Sequence, residues 1–469
     1  MGVGGIGMSG LAELLVRQGH KVSGSDAAES AITRRLQELG VKVFLGHRAE
    51  HLGSAQVVVH TTAVKEDNPE LAAARSLGRT ILRRGEMQAR LMEGHTQVAI
   101  TGAHGKTSTT AMTAAVLRAG GVDPSVLVGA VWENLGSNAV LGRGAYFVAE
   151  ADESDGSFLH LSPAIAVITN IDREHLDYYR DMEHIRETFA RYLAALSPEA
   201  QIVAWRDDPN LSPLLANRPQ RTTTYSLSPG AEFVATDIQV AGLGCRYRLW
   251  RRGQALGTIQ LPLAGVHYVL NSLAACAVGS VLSLPFSAWQ EGLAGLGQIH
   301  RRCQVKGEID GVLVLDDYGH HPTEIATTLT ALAQAFPERR LVVAFQPHRY
   351  SRTKALLPEF FPVFGEAHRV FITEIYSAGE PVLREISGKD LFRGVEGQGH
   401  PGVSFVEDLP ALAQILPACL RPGDLFLTMG AGDIWKAGEE FLQKLSGATP
   451  ENSQSPGETA CHGLSAQRA

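Results

Sequence analysis

Gln97-Val98-Ala99-Ile100-Thr101-Gly102-Ala103-His104-Gly105-Lys106-Thr107-Ser108 reads as a buried strand, a glycine turn and a helix start carrying Lys-Thr. That order of elements holds a nucleoside triphosphate. Amides of the turn and of the helix N-terminus face the phosphates, Lys106 neutralises β/γ oxygens and Thr107 supplies an oxygen to Mg²⁺. Only Ala103 and His104 separate the first glycine from Gly105-Lys106, where the usual phosphate loop has four residues. A purely structural turn is the blander alternative. The continuation Thr109-Thr110-Ala111 after the strand and Gly-Lys-Thr weighs against it.

Outward from this loop, strands and helices alternate along most of the chain, which implies parallel sheets with helices on their faces. At 469 residues the chain has room for about three domains, at roughly 100–200 residues each. The reading places them at 1–89, 90–298 and 299–446. The central one carries strands at 97–101, 146–149 and 164–168 and a β-rich insertion at about 231–262. Beyond 446 the chain turns to Ser, Pro, Gly and Gln, and residues 447–469 are expected to be a disordered tail. Net charge is −7 with both signs interspersed, which points away from a nucleic-acid surface. No apolar run approaches the ~20 residues of a membrane span, so a cytoplasmic protein is expected. Cys245, Cys276, Cys303, Cys419 and Cys461 form no C-x-x-C pair and imply neither zinc nor disulfides.

Gly2, Gly4 and Gly7 fit a dinucleotide fingerprint with Asp26 near the offset of a ribose-binding acid, the signature of an NAD-dependent oxidoreductase. The extra Gly5, the continuation Met8-Ser9-Gly10 and the second nucleotide loop at Lys106 argue instead for another pyrophosphate at this helix N-terminus. Such a loop follows a first strand of ~5–6 residues, and none precedes Met1. The expectation is a start about one strand upstream.

Acids and bases gather where strands end, the edge at which open α/β sheets bind ligands. Glu150, Asp152, Glu153 and Asp155 follow strand 146–149, and Glu150 and Glu153 are the favoured oxygen ligands for Mg²⁺. His175, in the segment after strand 164–168, is assigned to metal or phosphate. Asp316 to Glu324 (with Tyr318, His320 and His321) and Pro347 to Thr353 follow strands of the third domain. The guanidiniums of Arg349 and Arg352 there suit phosphate or carboxylate better than a surface ion pair. No Gly-x-Ser-x-Gly elbow or protein-kinase loop is present.

Gly-Gly-Ile-Gly-Met-Ser-Gly (4–10), Thr-Gly-Ala-His-Gly-Lys-Thr (101–107), Glu-Ala-Asp-Glu-Ser-Asp (150–155), Asp-Asp-Tyr-Gly-His-His-Pro-Thr-Glu (316–324) and Pro-His-Arg-Tyr-Ser-Arg-Thr (347–353), in that order, resemble the Mur ligase family. The resemblance runs from Met1 to about residue 446. It implies a Rossmann-like UDP-sugar domain lacking its first strand, a central ATPase and a Rossmann-like α/β domain for the amino acid. It also implies a cytoplasmic step of peptidoglycan synthesis, with L-alanine joined to the lactyl carboxylate of UDP-N-acetylmuramate using ATP and Mg²⁺. Carried over residue by residue, Gly4, Gly5, Gly7, Met8 and Ser9 hold the sugar nucleotide and residues 102–108 hold ATP. Lys106 clamps the γ-phosphate, Thr107 and Glu150 ligate one Mg²⁺, and His175 serves a second. Asn271 contacts adenine, although Tyr268 stands where the family usually has Asn. Tyr318, His348, Arg349 and Arg352 face the alanine side, with His348 as the base for the amine proton. A monomer or weak homodimer is expected, with no nucleic-acid or membrane partner. A ligase recycling a muropeptide tripeptide onto the same sugar nucleotide is the near alternative, and Tyr318-Gly319 favours the alanine reaction. An oxidoreductase and a non-catalytic nucleotide-binding regulator are the remote ones.

Overall fold

The computed structural model describes residues 1–217 and 219–446. The expected tail and Cys461 lie outside them. The central sheet has ten strands, running edge to edge as Gln254–Leu261, Gly244–Arg251, Phe233–Ala241, Thr222–Ser226, Gln201–Trp205, Ile165–Ile168, Thr96–Thr101, Tyr146–Glu150, Ser125–Trp132 and Ser137–Val140. Its middle strands are parallel and buried on both faces, so they read as apolar runs such as Ile165-Ala166-Val167-Ile168. The β-rich segment near 231–262 is continuous with this sheet. Phe233–Ala241 pairs parallel with Thr222–Ser226, then two antiparallel hairpins extend the edge.

Helices Lys106–Ala119 and Val266–Val281 cover one face of the central sheet. Ala274, Ala275 and Ala277 are fully buried in that layer. On the other face Phe158, Phe189 and Tyr192 form an aromatic cluster, with Phe158 and Tyr192 ring centres 4.7 Å apart. The third domain is a six-stranded sheet, ordered Gln304–Ile309, Val312–Asp317, Asp424–Met429, Arg340–Phe345, Arg369–Ile372 and Val403–Phe405.

The first domain departs from the single parallel sheet that its sequence suggests. Ser23–Asp26 pairs with Lys42–Leu45, and Val57–His60 pairs with Thr80–Arg83, as two separate two-stranded sheets. Met1–Val3 lies between the pairs. Its first nitrogen donates to Val59 O at 2.8 Å, while the Gly2 and Val3 amides donate to Ser25 O at 2.8 and 3.1 Å. These hydrogen bonds join the two pairs without a strand between them.

Helix Ile6–Arg17 docks the first domain onto the central sheet. Asn138 Nδ2 donates to Ile6 O at 2.5 Å and Ser137 Oγ to Glu13 Oε2 at 2.6 Å. Gly10 makes that approach possible, because a Cβ there would collide with the Leu127 side chain and sit 2.8 Å from Asn138 Nδ2. Gly10→Val is therefore expected to lower stability by about 1–3 kcal/mol through overpacking. Urea melts of the variant test this, and an unchanged midpoint would mean that the helix docks elsewhere. Among the described residues no helix is long and apolar enough to cross a membrane, and Cys245, Cys276, Cys303 and Cys419 are free thiols.

Candidate active site

The phosphate loop sits at the strand ends of the central sheet. Gly102 (φ +125°) lies against Thr169 and Asn170, where a side chain has no room. Gly105 (φ +80°) caps the helix that begins at Lys106 in the left-handed region natural to glycine. The amides divide their work differently from the expectation. Ala103 N–H goes to Asn170 O at 3.1 Å and His104 N–H to Asn170 Oδ1 at 2.9 Å, so neither is offered to a phosphate. The open donors are those of Gly105 to Ser108, the helix's unpaired first turn.

Lys106 is largely buried. Its Nζ donates to Gly102 O at 2.7 Å, Ala103 O at 3.2 Å and Glu153 Oε1 at 2.8 Å. Burial works against this charge, but Glu153, Asp152 and Glu150 outweigh it and hold the ammonium pKa above its ordinary value. Glu150 Oε1 accepts the Gly129 amide at 2.5 Å, and burial pushes that carboxyl upward despite Lys106, the Gly129 amide and Thr107. His175, held at φ +55°, points Nε2 to Glu153 Oε1 at 3.3 Å. Glu153 Oε2 is buried without a hydrogen-bond partner among the described residues. Thr107, Glu150 and this orphaned oxygen make a hard-oxygen set that fits Mg²⁺.

The segment after strand Ile165–Ile168 runs along the seam with the third domain. Asp172 accepts from Thr323 Oγ1 at 2.8 Å, Glu174 pairs with Arg352 at 2.9 Å and Asp177 with Arg349 at 2.7 Å. Arg349 and Arg352 thus meet carboxylates of the protein itself. Beyond them His348 stacks on Tyr376, centroids 5.6 Å apart, and Tyr318 lies under the guanidiniums of Arg301 and Arg302, at 5.1 and 5.4 Å. A cleft lined by Arg173, His175, Asp177, Arg349, Ser351 and Arg352 opens along this seam.

Comparisons with known proteins agree along the whole described length. Residues 1–96 match the Mur ligase family catalytic domain, 100–279 the Mur ligase middle domain and 301–432 the Mur ligase glutamate ligase domain. The UDP-N-acetylmuramate–L-alanine ligase of Syntrophobacter fumaroxidans is 47% identical over 96% of this chain and 97% of its own. The chain belongs to the Mur ligase family. A solved UDP-N-acetylmuramate–alanine ligase from Thermotoga maritima superposes at TM-score 0.82 with 28% identity, covering 95% of this chain and 98% of the other. A murein peptide ligase from Psychrobacter arcticus shares the fold at TM-score 0.71 and 22% identity, covering 96% and 98%.

Within this Mur ligase, the structure adds partners and surroundings to residues that the sequence singled out. Asp26 is not a free ribose acid, because its Oδ2 accepts the Gly4 amide at 2.8 Å. In the same loop Gly5 N–H donates to Gly2 O at 3.1 Å and Ser9 Oγ to Ile6 O at 2.9 Å. The open donors there are those of Ile6, Gly7 and Met8. Burial, followed by the neighbouring His320, Arg352, Arg349 and Arg301, pushes the His348 pKa down to about 2, which disfavours it as the base for the amine proton. Asn271, expected at adenine, has its amide at the phosphate loop, where a Cβ on Gly105 would lie 2.6 Å from its Oδ1.

Other site groups escaped the sequence reading. Arg84 beside Gly7 pairs with Asp152 Oδ2 at 2.5 Å, joining the two glycine loops. Arg302 Nη2 donates to Thr107 Oγ1 at 3.2 Å. The Arg301-Arg302 doublet at the domain boundary was the available signal. His104, expected at ATP, turns its ring to Asp172 and Glu324: burial opposes its charge, but these two carboxylates outweigh it and raise its pKa from 6.5 to about 10. The folded-state pKa is raised, so this contribution is complete below pH 6.5 and lost as pH climbs to about 10. Melting temperature should fall across that window, and by less in His104→Gln. Equal slopes in the two proteins would contradict the assignment.

Proposed function

We propose that the chain joins L-alanine to the lactyl carboxylate of UDP-N-acetylmuramate, driven by ATP cleavage, in cytoplasmic peptidoglycan synthesis for cell-wall biogenesis. The near-full-length likeness to the Syntrophobacter ligase carries this reading. The site's chemistry supports it independently.

A carboxylate is a poor acylating agent. Its oxygen attacks the γ-phosphorus, the bond to ADP breaks, and an acyl phosphate forms. The free amine of alanine then adds to the acyl carbon, a proton leaves the nitrogen, and phosphate departs. Such a site chiefly positions reactants and neutralises charge. Lys106 and the amides of Gly105 to Ser108 take the β/γ-phosphates. Mg²⁺ held by Thr107, Glu150 and Glu153, with His175 at a second ion, spreads the phosphoryl charge when bound. Ile6 to Met8, with Arg84 beside Gly7, suit the sugar-nucleotide pyrophosphate. Arg349, the more exposed of the two and part of the seam cleft, suits the amino-acid carboxylate by exchanging Asp177 for it. Arg352 stays on Glu174 behind it, and the amine proton passes to water. Phosphate release from ATP with UDP-N-acetylmuramate, comparing L-alanine, glycine, L-serine and the muropeptide tripeptide, is the test. Preference for the tripeptide would select the recycling reaction, and amino-acid-independent release would sink both.

A further inference from the structure

His104 lies in the phosphate loop, yet its ring belongs to the seam. Nε2 is 2.9 Å from Asp172 Oδ2 in the central domain, and Nδ1 is 3.3 Å from Glu324 Oε1 in the third. Its backbone cannot follow the ring elsewhere, because N–H is held by Asn170 Oδ1 and the carbonyl accepts from Thr169 Oγ1 at 2.6 Å and Asn170 Nδ2 at 3.0 Å. On the other side, Glu324 Oε2 accepts the amides of His320 and His321 at 3.0 and 3.3 Å, closing the cap of helix Pro322–Ala335. The imidazole therefore ties two rigid pieces together. One is the loop that takes phosphates, and the other is the helix start that follows Tyr318 and His320.

We propose that His104 is a positioning residue, whose imidazole couples the phosphate loop to the third domain and sets that domain's approach to the acyl group. This rests on the ligase reading for what the third domain delivers, but the contact itself does not. His104, Asp172 and His321 also bring ligand atoms within 4.8 Å of one another, a spacing that a transition metal can bridge. However, His321 Nδ1 already accepts the Thr323 amide at 3.2 Å. Both His104 nitrogens face carboxylates, which favours a proton in the cluster over a metal.

His104→Gln is expected to raise KM for L-alanine by roughly 5- to 150-fold, the range of coupling between linked sites, with KM for ATP near wild type. Amide exchange in the first turn of helix Pro322–Ala335 should quicken in parallel. His104→Lys, which returns a cation between the carboxylates, should recover part of both. The loss in His104→Gln should be non-additive with Asp172→Asn. Unchanged exchange and unchanged KM for alanine would overturn the coupling. A rise confined to KM for ATP would make the ring a nucleotide ligand instead. Zinc binding seen by calorimetry in wild type and lost in His104→Gln would make the cluster a metal site. If wild type shows no alanine-dependent turnover, the ligase reading fails, and the exchange measurement still decides the coupling.

Discussion

Lys106→Ala is expected to lower turnover by roughly a thousandfold or more, the scale of removing a group that neutralises phosphoryl charge in a closed site. The resting structure adds a second consequence. Lys106 Nζ is 2.8 Å from Glu153 Oε1, with Asp152 and Glu150 beside it. Without the ammonium three carboxylates share one pocket, and the His175 ring, 3.3 Å away, is the basic side chain left beside Glu153. Added Mg²⁺ should therefore raise the melting temperature of the variant more than that of wild type. Phosphate-release assays and melts with and without Mg²⁺ read the two effects. Near-normal turnover would remove the loop from the mechanism, and equal Mg²⁺ shifts would mean that the acids do not depend on Lys106.

Arg352→Leu is expected to destabilise the protein by about 3–5 kcal/mol, the usual result of stranding one partner of a buried ion pair. Arg352 and Glu174 side chains are only 11% and 5% exposed. Burial opposes the Glu174 charge, and Arg352 is the foremost of the groups that hold the carboxyl below its ordinary pKa, ahead of His175, His320 and His321. The pair Arg352→Leu with Glu174→Leu should regain much of the loss, because neither charge is then buried alone. Urea unfolding measures both. A single variant as stable as wild type would assign Arg352 to substrate alone and leave the seam to its neighbours.

The legible parts of this chain were those encoded by local rules. The glycine turn before Lys106 needs positive φ at Gly102 and Gly105, and a buried parallel strand must be apolar throughout. Both demands appear directly in residues 97–108. The order of acids and histidines after strands 146–149 and 164–168 placed them correctly at one sheet edge. What stayed hidden were pairings between distant segments. Nothing near Asn170 in sequence says that its side chain and carbonyl occupy the amides of Ala103 and His104, and nothing near Arg84 points to Asp152. The low basicity of His348 was hidden for the same reason: a histidine's basicity is set by burial and by charged groups brought from elsewhere.

By itself, then, the sequence determined the α/β class, the phosphate loop and the family, because turn stereochemistry and strand periodicity act over a few residues. Only the tertiary structure decided which donors remain open and which charges are already paired. Those depend on what folding brings within about 3 Å, where hydrogen bonds and ion pairs form.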